Sequence, residues 1–177
     1  TGATSSGTYN HGVNLAGSST VSTASGTLSI TGVTGTQGSS SFGVAVGSGT
    51  QVSTSSGNIS ITGTSRISGQ YGYGFWLGDN FTKISAGGSG NITINGTSSD
   101  IGSGDALGIY NIGIGFNSPG SVIVSGTGSV SLTGTGGSVG TGSAGVSNAV
   151  VTTAGGAINI TGSASSTGTS AEDITVS

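Results

Sequence analysis

The sequence predicts an all-β fold, a parallel β-solenoid with three short strands in each of about five coils of 28–38 residues. The first indication is a seven-residue stretch that occurs five times with small changes. The copies are Gly26–Gly32, Gly57–Gly63, Gly90–Gly96, Gly128–Gly134 and Gly156–Gly162. Each copy alternates polar and branched apolar residues, which is the pattern of a strand with one buried face. Recurrence at about thirty residues indicates a repeat architecture.

Two further strand signatures lie between the copies. One consists of glycine, a large apolar residue, any residue and a second large residue. It occurs at Gly12–Leu15, Gly43–Val46 and Gly74–Leu77, with looser versions at Gly108–Asn111 and Gly145–Asn148. The other is a short strand five or six residues before each copy, carrying Val21, Val52, Ile84, Ile123 and Val151. Three strands joined by glycine-rich corners form one coil of a parallel solenoid.

Equivalent residues of successive coils should lie about 4.8 Å apart along the axis. We therefore expect two buried columns in the repeated strand. They are Leu28, Ile59, Ile92, Val130 and Ile158, and beside them Ile30, Ile61, Ile94, Leu132 and Ile160. Asn111 and Asn148 are expected where other coils have Leu15, Val46 and Leu77. Buried amides need hydrogen bonds, so these two should form an amide ladder.

Residues 1–177 are predicted to be a single solenoid segment. The pattern starts and stops in mid-coil, without a polar cap at either end. Because uncapped solenoid ends expose sheet edges, we expect a piece of a longer repeat protein. The alternative is a structural filament in which like subunits stack end to end.

The composition excludes several functions. Charged residues make up 4% of the chain, the net charge is −3, and Arg66 and Lys83 are its two cationic side chains. This is too little positive charge to neutralise nucleic-acid phosphates or anionic lipids. The absence of cysteine excludes disulfides and thiolate metal sites. No run of about 18 apolar residues predicts a membrane-spanning helix.

The runs Gly57–Gly63, Ser41–Val46 and Thr50–Gly57 resemble the repeat regions of large bacterial adhesins. These are the filamentous-haemagglutinin-like exoproteins of two-partner secretion and similar autotransporter passengers. The resemblance is one of repeat style and covers essentially the whole chain. It implies a right-handed parallel β-helix, an extracellular location at the bacterial cell surface, and a role in attachment or as a fibrous stalk. The family has no single catalytic or binding motif to carry across.

An enzymatic function is not expected. The acids are Asp79, Asp100, Asp105, Glu172 and Asp173, and the only histidine is His11. No nucleophile–base pair is evident among them. A calcium ion at Asp100 and Asp105 is conceivable, but two acids five residues apart are usually solvated. We predict no cofactor and no metal.

The residues around Trp76 are a candidate ligand site, although an aromatic ladder is the interpretation that we favour. The segment Gln70–Phe81 holds five of the nine aromatic residues and the only tryptophan. Strand alternation turns Phe75 and Leu77 inward and Trp76 outward, and places Tyr110 beside Trp76 one coil further on. Together with Tyr73, Asp79 and Asn80, this pair could stack on a glycan or dock a surface receptor. The alternative is a cross-strand aromatic ladder without a ligand.

The outward face of the repeated strand predicts a grid of small polar side chains. Its columns are Ser29, Ser60, Thr93, Ser131 and Asn159, and Thr31, Thr62, Asn95, Thr133 and Thr161. The expected spacing is roughly 4.8 by 6.8 Å. Such a grid is typical of ice-binding solenoids. The alternative is that it only keeps a nearly uncharged chain in solution.

Overall fold

The computed structural model describes residues 8–36, 38–67, 71–78, 81–98, 112–116, 122–137, 143–147, 151–164 and 171–175. These residues form sixteen β-strands and no helix. In chain order the strands are β1 (Val13–Leu15), β2 (Thr20–Thr23), β3 (Leu28–Val33), β4 (Phe42–Val46), β5 (Gln51–Thr54), β6 (Ile59–Ser65), β7 (Tyr73–Leu77), β8 (Lys83–Ala86), β9 (Ile92–Ser98), β10 (Ile112–Phe116), β11 (Val122–Ser125), β12 (Val130–Thr135), β13 (Ser143–Ser147), β14 (Val151–Thr153), β15 (Ile158–Ser163) and β16 (Ala171–Thr175).

Every third strand joins the same sheet. Sheet A contains β1, β4, β7, β10, β13 and β16, sheet B contains β2, β5, β8, β11 and β14, and sheet C contains β3, β6, β9, β12 and β15. All pairings within the three sheets are parallel. The chain therefore passes through sheets A, B and C in turn, which confirms the predicted all-β solenoid with stacked parallel sheets.

The register of both predicted columns of sheet C is confirmed, whereas the predicted burial fails at Ile158. Leu28 pairs with Ile59, which pairs in turn with Ile92. Val130 then lies between Ile92 and Ile158. The side chains of Ile59, Ile92 and Val130 are at most 1% exposed, whereas Ile158 in the last strand of the sheet is 44% exposed. Burial is thus complete only where a strand has a neighbour on both sides.

Sheets A and B complete the interior. The predicted sheet B column has the expected register, Val21, Val52, Ile84, Ile123 and Val151. In sheet A the inner column continues from Val13 through Val44 and Phe75. Val52, Ile84 and Phe75 have no exposed surface. Apolar columns from all three sheets therefore form one continuous core.

One strand of sheet A lies later in the sequence than predicted. The partner of β7 is β10, which begins at Ile112, and not the segment Gly108–Asn111. Phe116 pairs with Leu77, so the predicted place of Asn111 in that column was wrong. The stretch Gly113–Phe116 also fits the signature of this strand. The prediction placed the strand too early because the extra residues of this longest coil precede it. The predicted amide ladder therefore loses Asn111, its first member. Its second member, Asn148, lies outside the described residues.

An asparagine ladder does occur at the corner before sheet C. The backbone N–H of Asn91 donates to Oδ1 of Asn58 (2.9 Å), and the N–H of Ser129 donates to Oδ1 of Asn91 (2.8 Å). Each amide therefore caps the equivalent position of the following coil. These bonds satisfy backbone donors where the chain bends between sheets B and C.

Glycines allow sheets A and C to approach through their backbones. Gly32, Gly63, Gly96, Gly134 and Gly162 are in register in sheet C. A Cβ on Gly63 would overlap the carbonyl oxygen of Gly74, and one on Gly134 would overlap that of Gly145. The predicted corner role of glycine is confirmed elsewhere, at Gly26 with φ 83°. Within sheet C, glycine is needed for its lack of a side chain.

Candidate functional site: an aromatic strip on sheet A

Trp76 lies on the outer side of β7. Phe75 and Leu77 on either side of it have no exposed surface, whereas Trp76 is half-buried. Because neighbouring side chains of a strand point to opposite faces, this confirms the predicted orientation of the three residues. Tyr73, at the start of the same strand, is also half-buried.

The residue beside Trp76 in the following coil is not Tyr110. Trp76 pairs with Ala45 on one side and with Gly115 on the other. The predicted pairing of Trp76 with Tyr110 was therefore wrong, for the same reason that β10 starts late. Tyr110 lies outside the described residues, as do the predicted ligand residues Asp79 and Asn80.

Five rings lie in contact on this side of sheet A. We call Tyr9, His11, Phe42, Tyr73 and Trp76 the aromatic strip. His11 stacks on Phe42 with ring centroids 4.7 Å apart and an interplanar angle of 26°. Phe42 stacks on Trp76 at 5.4 Å and 27° and meets Tyr73 edge-on at 5.0 Å and 86°. Tyr9 meets the edge of His11 at 6.2 Å. These are the offset-stacked and T-shaped geometries that aromatic pairs prefer.

The repeat explains how the strip forms. His11, Phe42 and Tyr73 each precede the glycine that opens a sheet A signature, at 31-residue intervals. Phe42 and Tyr73 are register partners, so successive coils bring these rings together. Sequence reasoning missed His11 and Phe42 because the signature was taken to begin at the glycine. A signature that began one residue before the glycine would have included them.

His11 has a structural role in the strip. Its Nδ1 accepts a hydrogen bond from the backbone N–H of Phe42 at 3.1 Å, which requires that nitrogen to be unprotonated. Burial lowers the pKa of His11 below the ordinary value of 6.5. The imidazole is therefore neutral at pH 7 and holds two neighbouring coils together.

The neighbours of Trp76 along the solenoid axis are all smaller. The residues in register with Trp76 in the other strands of sheet A are Asn14, Ala45, Gly115, Ser147 and Thr175. The indole ring also needs the absence of a side chain at Gly78, because a Cβ there would overlap its six-membered ring. Trp76 is thus larger than any residue in register with it in sheet A.

Three exposed aromatic residues have left-handed backbones. Tyr9 (φ 65°) and Tyr71 (φ 59°) occupy the same corner position two coils apart, with Ser40 (φ 52°) between them. Phe81 (φ 68°) occupies another corner, where the preceding coil has Gly49 (φ 73°). Tyr9 is 68% exposed, Tyr71 38% and Phe81 82%. The corners impose the positive φ, but they do not require aromatic side chains.

No family model matches the chain, and neither a curated protein nor a solved structure matches it significantly. The site must therefore be interpreted from its own chemistry. The strip contains no Asp, Glu, Lys or Arg side chain, and burial lowers the pKa of His11.

The described residues hold no group of three or more His, Cys, Asp or Glu side chains that could bind a metal ion. The acidic pair Asp100 and Asp105 lies outside them. Within the same residues, no helix is long and apolar enough to cross a bilayer.

A second regular surface covers the outside of sheet C. Both predicted columns have the expected register, and the structure adds a third, formed by Val33, Thr64, Thr97, Thr135 and Ser163. The third column was missed because it follows the closing glycine of the repeated stretch. All members of the three columns are exposed or half-buried. The surface is therefore a flat array of short polar side chains with one valine at its edge.

Proposed function

We propose that this chain is a non-enzymatic segment of an extracellular bacterial adhesin or surface fibre, a rigid stalk that also carries an attachment surface. In this proposal the solenoid is right-handed, with about five coils and a length of roughly 25 Å at the strand spacing. The observation that carries the proposal is the parallel pairing of sheet A, which extends from Val13 to Thr175 through six strands.

A stalk needs stiffness along its axis. Each internal strand is hydrogen-bonded to a strand on both sides, and the interior is filled by aliphatic columns with almost no exposed surface. Such close packing resists bending, since every displacement opens gaps in the core. The architecture therefore suits a load-bearing spacer between a cell and its target.

The chemistry of the strip favours contact over catalysis. It brings together aromatic rings, whereas acid–base catalysis needs titratable side chains within reach of a reacting group. His11, the one titratable candidate near neutral pH, already accepts a hydrogen bond from Phe42. This arrangement supports an attachment surface.

The proposal is tested by displaying the chain on a non-adherent bacterium and counting the cells retained on a panel of biotic and abiotic surfaces under flow. We expect increased retention on at least one surface. Cells that do not display the chain serve as the control. Equal retention by cells with and without the folded chain on every surface would refute the attachment role.

A second candidate function rests on the outer face of sheet C. Its three columns form an uncharged array, mostly of serine and threonine, that repeats at the strand spacing. This proposal predicts thermal hysteresis in solutions of the chain. Thr62→Lys, at the centre of the array, should abolish it, whereas Ser53→Lys on the outer face of sheet B should not. No hysteresis in the original chain would exclude this function.

A further inference from the structure

We propose that the aromatic strip and the neighbouring Tyr71 bind a neutral glycan that lies along the solenoid axis. This inference rests on the proposed attachment function and names the class of ligand that the surface takes. The structure supports it through ring chemistry, backbone strain, the continuation of the rings over several coils and the charge of the strip.

The rings suit a sugar better than an aliphatic partner. The strip uses tyrosine, histidine and tryptophan, which combine a flat apolar face with a polar edge. A pyranose presents C–H groups on its face and hydroxyls around its rim. The negative face of an aromatic ring attracts the C–H groups, and tyrosine hydroxyls can exchange hydrogen bonds with the rim.

Tyr9 and Tyr71 are aromatic residues with a positive φ, a property that they share with Phe81 and with Ser18, Ser40 and Ser48. A bulky residue with a positive φ is uncommon, because its Cβ crowds the backbone. Ser40 shows that the same corner position does not depend on an aromatic ring, and glycine would fit it without strain. Strained residues that the fold does not require point to a function. Tyr9 is 68% exposed and Tyr71 38% exposed.

The rings of the strip continue over several coils. Ala45 and Gly115 are the register partners of Trp76, and the ring that stacks on the indole is that of Phe42, 5.4 Å away. His11, Phe42 and Tyr73 occupy equivalent positions in successive coils, about 4.8 Å apart along the axis. A glycan aligned with the axis would therefore meet rings over several coils.

The charge of the strip selects the ligand. The strip contains no Lys or Arg side chain, and burial lowers the pKa of His11. A sulfated or uronic-acid glycan would find no cation among the side chains of the strip. We therefore expect uncharged hexose or N-acetylhexosamine chains to bind in preference to acidic ones.

The inference is tested by titrating the chain with cello-, malto-, xylo- and chito-hexaose and with a heparin hexasaccharide. Trp76 is the only tryptophan, so its fluorescence reports on the strip alone. Calorimetry measures the same titrations for variants that lack it. We expect at least one neutral oligosaccharide to shift the emission and to release heat, and heparin to do neither.

The repeat itself supplies suitable variants. Trp76→Ala introduces the residue of the preceding coil, Ala45, and Tyr71→Ser introduces that of Ser40, so both should fold. Trp76→Ala should abolish measurable binding, and Tyr71→Ser should weaken it about three- to tenfold, the loss of one aromatic contact. Phe81→Gly introduces the residue of Gly49 at the other corner and should leave the affinity unchanged.

Absence of binding to all four neutral hexasaccharides would overturn the inference, as would binding that survives both Trp76→Ala and Tyr71→Ser. Preferential binding of heparin would also overturn it. These outcomes are distinct from failure of the attachment function. If cells that display the Trp76→Ala variant still adhere, the adhesin proposal is retained even where the titrations refute the glycan site.

Discussion

The carbonyl oxygen of Gly74 in sheet A lies where a side chain on Gly63 in sheet C would have to be. The atoms nearest to that position belong to the backbone of Gly74 and Val44, which cannot move aside as a flexible side chain can. We therefore predict that Gly63→Ala lowers the free energy of unfolding by about 3 kcal/mol, at the upper end of the effect of overpacking. Urea denaturation followed by circular dichroism measures this change.

The matched control is Gly155→Ala. No heavy atom lies within 4 Å of a Cβ at that position. Its free energy of unfolding should therefore change by less than about 0.5 kcal/mol. Equal effects of the two substitutions would contradict the close approach of sheets A and C.

Ile92 and Ile158 belong to one column but differ in burial. Ile92 has no exposed surface, whereas Ile158 is 44% exposed. Ile92→Ala should destabilise the 177-residue chain by roughly 2–5 kcal/mol, because it leaves a cavity between two coils. Ile158→Ala should lower stability by less than half as much. Similar losses from both, measured in parallel urea titrations, would show that the two side chains do not differ in burial.

His11 predicts a dependence of stability on pH. Since burial lowers its pKa in the folded chain, the unfolded chain binds the proton more readily. The stability from neutral His11 is therefore complete above the unfolded value of 6.5 and is lost as the pH falls from there through the lowered folded pKa. Protonation also removes the acceptor for the N–H of Phe42. The urea concentration at the unfolding midpoint should therefore decrease as the pH is lowered from about 7 to about 5, the range in which histidine titrates.

His11→Phe is the control for this pH dependence, because Phe42 is its equivalent in the following coil. The variant keeps a ring for stacking but has no group that titrates near neutral pH. Its urea midpoint should be constant over the same range. A midpoint that rises on acidification of the original chain would contradict the hydrogen bond to Nδ1.

Loss of one bond of the asparagine ladder should lower the stability by less than the core substitutions do. Asn91→Ala removes the acceptor for the N–H of Ser129, which costs about 0.5–1.5 kcal/mol for one hydrogen bond. Asn159→Ala, on the exposed face of β15, should change stability by less than about 0.5 kcal/mol. Amide hydrogen exchange should show faster exchange at Ser129 in the first variant alone. Unchanged exchange there would argue against the ladder.

Much of the fold follows from local pattern. The alternation in Gly57–Gly63 and its copies predicted the strands of sheet C and their register, since a slip by one residue would turn Ile59 and Ile61 outward. The same reasoning failed at Gly108–Asn111. A coil with extra residues offers two stretches that fit the signature, and pairing with β7 selects Gly113–Phe116.

The candidate site was predicted only in part. The orientation of Trp76 followed from its place between Phe75 and Leu77. Its neighbours did not, because they come from other coils and depend on the register of β4 and β10. His11 had no strand pattern of its own to indicate that it would stack on Phe42.

The amino-acid sequence by itself determined the class of architecture, the inner columns and the uncharged character of the surface, because these depend on residue type and on spacing along the chain. Tertiary structure alone decided which rings meet, which glycines separate two backbones and which asparagines form a ladder. The reason is physical. In a parallel solenoid these contacts join residues about thirty positions apart, and their partners are set by inter-coil hydrogen bonding, which a local pattern does not encode.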